Sequence, residues 1–155
     1  MPPSPKPDSD APKLSNFLCF AVYSANLAFG RAYKPLLDKL GITYTQYIAL
    51  VALGEQDDQI VGELGEKLFL ESNTLTPILK KLESLGYIVR RRDPADERQV
   101  RLSLTKAGRD VVAKVPGAAL LDATGLGNRF AEVQQAVAGL RDNLLRATKS
   151  GASKG

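Results

Sequence analysis

The 155-residue chain has no histidine, no tryptophan and a single cysteine, Cys19. Without histidine, the Ser-His-Asp and Cys-His nucleophile arrangements are excluded, as are most zinc sites. One cysteine cannot close a disulfide within the chain, and it suits a reducing compartment, so a cytoplasmic location is expected. No apolar run is long enough to cross a bilayer, and no signal-peptide pattern is present. One cysteine without a thioredoxin-like βαβ pattern offers no recycling machinery for a thiol peroxidase. The expectation is therefore no enzyme, no metal, no cofactor and no membrane partner.

What is present is an uneven charge. The formal net charge is only +4, but residues 71–109 hold nine Lys/Arg against five Asp/Glu and account for the whole excess. A local basic surplus suits a polyanion partner, although solvated charge is its commoner cause. In the same segment, Leu75, Ile78, Leu79, Leu82 and Leu85 recur at three- and four-residue spacing and make one apolar helical face. Ser72, Asn73, Thr74, Thr76, Lys80 and Lys81 fall mostly on the other side. Hydroxyls, amides and cations in that order hydrogen-bond base edges and phosphates when a helix end enters a major groove.

The rest of the chain frames that helix. Residues 1–13 contain five prolines and read as a disordered arm. A long helix follows from about Asn16 to Leu40, apolar on much of its circumference, with Pro35 as a candidate kink and Gly41 as its end. A dimer core is one way to cover such a helix. Thr43 and Gln46 form a capping-box pattern ahead of a second helix that ends near Gly54. A polar connection, Glu55–Gln59, leads to a short helix carrying Val61, Leu64, Leu68 and Phe69. Beyond Gly86, residues 87–92 and 98–104 read as two strands around the turn Asp93-Pro-Ala-Asp-Glu97. Thr105 caps a helix to about Val115, residues 118–128 are ambiguous, and Phe130, Val133, Val137, Leu140 and Leu144 form a helical seam. Residues 147–155 read as a disordered tail. The fold expected is mainly α with a small β-hairpin, a winged helix-turn-helix flanked by N- and C-terminal dimerisation helices. The domain spans 14–146, with its DNA-binding part at about 43–104 and dimerisation helices at about 14–40 and 105–146.

This layout resembles the MarR family of dimeric transcriptional repressors. Asp96-Glu-Arg98 resembles the family's wing motif, and Leu102–Gly108 the segment after it. Asn16–Phe20, Tyr33–Leu40, Ile42–Tyr47 and Thr74–Lys81 are similar to the organic hydroperoxide resistance regulators (OhrR) of that family, over roughly Leu14 to Pro116. The resemblance implies a repressor whose Cys19 is oxidised by organic hydroperoxides and which then releases its operator. It also implies that Tyr23, Tyr33 and Tyr44 hydrogen-bond the cysteine. Ser72, Asn73, Thr74, Thr76 and Lys80 would meet the major groove, Arg92 and Arg98 the minor groove or phosphate, with Asp96 bracing Arg98. Arg90, Arg91 and Arg101 are either phosphate contacts or solvated. The implied partners are double-stranded inverted-repeat DNA, a second copy of the chain, the hydroperoxide and a small thiol that forms a mixed disulfide with Cys19.

Geometry adds one expectation. Tyr33 lies fourteen residues beyond Cys19, roughly 21 Å along a straight helix, so a Tyr33 that touches a Cys19 should touch that of another chain. Leu18, Phe17 and Phe20 around the thiol suit alkyl or lipid hydroperoxides better than hydrogen peroxide. The alternative function is a MarR-type repressor that binds a phenolic or other small ligand, with Cys19 only structural.

Overall fold

The structure, a computed structural model, describes residues 11–152, and it describes side chains as far as 149. Ten residues of the proline-rich arm therefore lie outside the described residues, as do residues 153–155 of the tail. The chain divides into two compact units, one ending at Val115 and the other beginning at Pro116.

The first unit opens with a 3-10 turn at Leu14–Asn16, followed by α1, Leu18–Leu40. The helix runs through Pro35, which stays exposed. It stops at Gly41, whose positive φ of 71° suits a residue without a Cβ. Helix α2, Tyr44–Glu55, starts from the expected capping box. The Thr43 hydroxyl accepts from the Gln46 N–H, and the Gln46 side chain accepts from the Thr43 N–H at 2.9 Å. Ala49, Leu50, Ala52 and Leu53 then bury its inner face.

Helices α3, Val61–Leu68, and α4, Ser72–Ser84, form the helix-turn-helix. On α4, Leu75, Leu79 and Leu82 are fully buried, whereas Ile78 is half-buried and Leu85 exposed. The buried stripe is thus narrower than the spacing of leucines suggests. Truncating one of the three, as in Leu79→Ala, costs about 2–5 kcal/mol because the site cannot fully collapse.

The wing is richer than the hairpin expected. Strands β2, Ile88–Arg92, and β3, Val100–Leu104, pair antiparallel, with Ile88 opposite Leu104 and Arg92 opposite Val100. A two-residue strand β1, Gln59–Ile60, joins the free edge of β3, giving the order β1-β3-β2. Two residues are too few for a period to show in sequence. The strand is held instead by Gln59, buried with its amide donating to the Ala52 carbonyl at 2.9 Å.

Helix α5, Lys106–Ala113, is capped by Thr105. It belongs to the first unit, where Gly108 and Val111 are buried. A Cβ at Gly108 would collide with the Tyr87 carbonyl oxygen, so only glycine lets α5 approach the start of the wing so closely.

In the second unit, the ambiguous stretch resolves as α6, Gly117–Ala123, and a 3-10 turn, Gly127–Arg129. Gly125 and Gly127 both take positive φ, which is why the helix breaks there. Helix α7 runs from Phe130 to Ala152. The disordered tail expected from Ala147 is therefore corrected through Ala152: no residue there breaks the helical hydrogen bonding, and isolated serines and a glycine near a helix end are weak breakers. Val137, Leu144 and Leu145 stay exposed along it.

Candidate thiol-phenol and DNA-binding sites

Cys19 is the second residue of α1 and is exposed. The helix around it is apolar and uncovered: Leu18, Phe20, Val22, Tyr23, Leu27 and Phe29 are all exposed, with Leu18 at 62%. Tyr23 follows Cys19 by one helical turn, and its ring lies 6.5 Å from that of Phe20.

The other phenols gather elsewhere. Tyr33, late in α1, packs against Tyr44 with ring centroids 5.0 Å apart and against Tyr47 at 5.8 Å. The corner at Gly41 turns α2 back so that its first turn presents Tyr44 and Tyr47 to Tyr33. Burial first, and then Tyr44 and Tyr47, push the Tyr33 phenol above its ordinary range; burial and Tyr44 do the same to Tyr47. Both hydroxyls therefore keep their protons, and so their capacity to donate, well beyond neutral pH. A cleft bounded by Gly30, Lys34, Leu37, Ile42, Thr43 and Tyr44 opens beside this cluster. Because α1 is one continuous helix, fourteen residues still separate Cys19 from Tyr33, roughly 21 Å of rise. One chain thus brings Tyr33 and Tyr44 together but does not bring Cys19 to them. Tyr47 is a member of this ring cluster that sequence reasoning missed, although its position three residues after Tyr44 puts it on the same helical side.

The second site is built on α4 and the wing. Ser72, Asn73, Thr74 and Lys80 are exposed on α4, and Thr76 is half-buried. The Thr76 hydroxyl donates to the Ser72 carbonyl at 2.7 Å, which leaves its oxygen as an acceptor for an outside donor. Thr76 also precedes Pro77, whose missing N–H leaves the Asn73 carbonyl without its helical partner.

The wing arginines divide by what holds them. Arg101 is anchored: its Nε donates to Asp93 at 3.1 Å, and its Nη1 donates to the Asp58 carbonyl at 3.2 Å and lies 3.3 Å from the Asp58 carboxylate. Arg91 meets the same Asp58 carboxylate at 3.2 Å, and Arg90 lies 3.4 Å from Glu83 on α4. These three arginines tie the wing to the body. Asp93 is buried; the Ala95 N–H, at 2.8 Å, holds its carboxyl below the usual range, and Arg101 acts in the same direction. Asp58 takes a positive φ, which aspartate tolerates better than most residues. In the sequence it shows only as one residue of a polar connection. At the tip, Arg92 donates to the Glu97 carbonyl at 2.9 Å. Asp96 accepts from both the N–H and the Nε of Arg98 at 3.1 Å, while the Arg98 side chain remains 91% exposed. Among the described residues no cluster of His, Cys, Asp or Glu has metal-binding geometry, and no helix is long and apolar enough to cross a membrane.

Known proteins resemble this chain in sequence and in fold. Residues 31–115 match the family model for the transcriptional regulator SarA/Rot. The chain is 46% identical over 114 residues to the organic hydroperoxide resistance transcriptional regulator of Bacillus subtilis, covering 72% of this chain and 78% of that one. It is 50% identical over 106 residues to the regulator TtmR of Methylorubrum extorquens, covering 68% of this chain but only 54% of TtmR. Reduced AbfR bound to DNA superposes with a TM-score of 0.72 at 33% identity, covering 87% of this chain and 94% of that one. AbfR, from Staphylococcus epidermidis, is also known overoxidised on DNA and in a disulfide form.

Proposed function

Since this chain belongs to the MarR family of winged-helix transcriptional regulators, in its organic hydroperoxide resistance group, we propose that it is a homodimeric repressor switched by oxidation of Cys19. The observation that carries the proposal is the separation within one protomer. An exposed thiol lies at one end of α1, and the Tyr33 ring, packed on Tyr44 and Tyr47, lies near the other. Pairing two copies along the exposed apolar face of α1 would cover that face and set the Cys19 of one protomer against the Tyr33 and Tyr44 of its partner. The composite site then exists only in the dimer.

In that site the phenol O–H groups donate to the thiolate of Cys19 and favour the charged, reactive form. Thiolate sulfur attacks one peroxide oxygen; an S–O bond forms, the O–O bond breaks, and the alkoxide leaves with a proton as the alcohol. Cys19 is then a sulfenic acid, oxidised by two electrons. No second cysteine is present to resolve it. A small cellular thiol condenses with it instead, giving a mixed disulfide and water. Added bulk at Cys19 displaces the helices that fix the distance between the two α4 helices, and the operator is released.

On DNA, the first turn of α4 reads the major groove, and Arg98 and Arg92 at the wing tip contact the minor groove or its phosphates. An inverted repeat with half-sites about one helical turn apart matches a two-fold dimer. DNA binding before and after treatment with an organic hydroperoxide, in wild type and Cys19→Ser, tests the reading. Release of the wild type with retention of Cys19→Ser supports it. Release of both, or response only to an added phenolic ligand, favours a ligand-regulated repressor.

A further inference from the structure

Backbone carbonyls at the start of α4 are not all served alike. The Glu71 carbonyl, at the cap, accepts from the Thr74 and Leu75 N–H groups, both at 3.0 Å. The Ser72 carbonyl accepts from the Thr76 hydroxyl at 2.7 Å. The Asn73 carbonyl comes next, and the residue four further on is Pro77, which lies inside the helix and has no N–H to give. Proline is tolerated at the first helical position, where the N–H would be unpaired anyway. Pro77 is the sixth residue of α4, and there it removes a bond the helix would otherwise make.

Core packing does not ask for this proline. Pro77 is exposed, as is Asn73 one turn before it, while the buried stripe consists of Leu75, Leu79 and Leu82. Alanine at the same place would restore the bond and strengthen the helix. The ring, standing where the N–H would be, also crowds the Asn73 carbonyl. A carbonyl so crowded relieves the clash by tilting off the helix axis toward the open side. The outcome is a main-chain acceptor turned outward on the face that Asn73 and Pro77 share. A local rule broken on an open surface is the pattern of a functional position.

We propose that the Asn73 backbone carbonyl reads a base, accepting a hydrogen bond from an exocyclic amino group, N4 of cytosine or N6 of adenine. These amines are the donors that the major groove displays. The inference rests on the reading of α4 as the groove-entering helix, whose N-terminal residues are the ones that reach base edges. Guanine and thymine present acceptors at that edge and would leave the carbonyl unpaired, so the contact discriminates. Pro77 is then a positioning residue: it makes no polar contact itself but frees the carbonyl and turns it outward. A main-chain acceptor also needs no side-chain rotamer to be ordered, unlike the amide of Asn73.

The test uses the full-length protein and an operator selected by the wild type from a random duplex library. In one half-site, the amino group of each selected cytosine or adenine is deleted in turn, with 2-pyrimidinone replacing cytosine and unsubstituted purine replacing adenine. At one position the deletion should cost the wild type roughly two- to tenfold in affinity, the worth of one hydrogen bond. The analogue that does so tells cytosine from adenine. Pro77→Ala gives the carbonyl an N–H again, so its thermal midpoint should equal or exceed that of the wild type. Its affinity for the intact operator should fall, and the deletion at that position should cost it nothing further. The salt dependence of binding should not change, because no phosphate contact is lost. Asn73→Ala keeps the backbone carbonyl and should stay sensitive to the same deletion. Insensitivity of Asn73→Ala would assign the contact to the side-chain amide and overturn the proposal. So would deletions that cost Pro77→Ala as much as the wild type at every sensitive position. An operator in which no amino-group deletion matters overturns the proposal while leaving the α4 reading intact. A wild type that selects no operator overturns the α4 reading and this proposal together.

Discussion

Tyr33 and Tyr44 sit with ring centroids 5.0 Å apart and planes tilted by 58°, joining the last turns of α1 to the first turn of α2. Tyr47 adds a third ring 5.8 Å from Tyr33. The contact couples the helix that carries Cys19 to the helix on which α3 and α4 pack. An event at the thiol of a partner resting on these rings would therefore reach α4 through two packed steps.

Tyr33→Phe should slow oxidation of Cys19 by an organic hydroperoxide at least several-fold near neutral pH. The change removes a hydroxyl and keeps the ring, and a hydrogen bond to a charged group is worth roughly 1.5–3 kcal/mol. DNA affinity of the reduced protein should hardly change. Thiol loss followed by mass spectrometry measures the first, and fluorescence anisotropy on operator DNA the second. An unaltered oxidation rate would remove Tyr33 from the sensor.

Alkaline titration should separate the phenols. Tyr33 and Tyr47 have folded pKa values raised above the ordinary ~10. The unfolded chain thus loses these protons first, and the stability they contribute is full below about pH 10 and is lost as pH rises through the folded values. Phenolate absorbance should show a late-ionising set that shrinks in Tyr33→Phe and in Tyr47→Phe. A titration in which every tyrosine ionises together would contradict the buried cluster.

The wing should be acid-sensitive through Asp93. Its folded pKa is lowered, by the Ala95 N–H first, so its contribution is present above the unfolded value near ~4 and is lost as pH falls through the folded one. Asp93→Asn should lower the thermal midpoint at neutral pH and flatten its fall as pH drops below the unfolded carboxyl value of about 4. An identical acid profile in the variant would show that Asp93 does not stabilise the fold.

Arg98→Ala and Arg101→Ala should fail differently. Arg98 is almost wholly solvent-exposed, so its removal should leave the melting temperature alone, weaken operator binding and reduce the salt slope by about one per protomer. Arg101→Ala leaves the buried Asp93 without its cation and Asp58 with Arg91 alone, and should lower the melting temperature as well. Equal melting temperatures in the two variants would refute the division of wing arginines into anchors and readers.

The resemblance already sets Arg92 and Arg98 apart from Arg90, Arg91 and Arg101, but that Arg91 and Arg101 are anchors is illegible in the sequence. Their roles depend on Asp58, which is more than thirty residues away and reaches Arg91 and Arg101 only because β1 pairs with β3. The fold is legible where local chemistry decides it: the Thr43–Gln46 capping box, the Thr105 cap, the leucine stripe of α4 and the turn after Arg92. It is illegible where long-range packing decides, as in the two-residue β1, or where helix-breaking signals are weak, as in α7 beyond Ala147. The candidate sensor is half legible. Cys19 and three tyrosines follow from resemblance, and the distance between Cys19 and Tyr33 from helix rise, but the Tyr33–Tyr44–Tyr47 cluster needs the corner at Gly41.

The central claim is that thiol and phenol meet across a dimer, and a mixed dimer tests it most directly. Pairing one Cys19→Ser chain with one Tyr33→Phe chain leaves a single thiol, on the Tyr33→Phe chain, facing the intact Tyr33 of its partner. The rate at which that thiol is oxidised by an organic hydroperoxide should equal the rate in the wild-type dimer. A rate as slow as that of the Tyr33→Phe homodimer would place Tyr33 and Cys19 of one chain together and contradict the composite site.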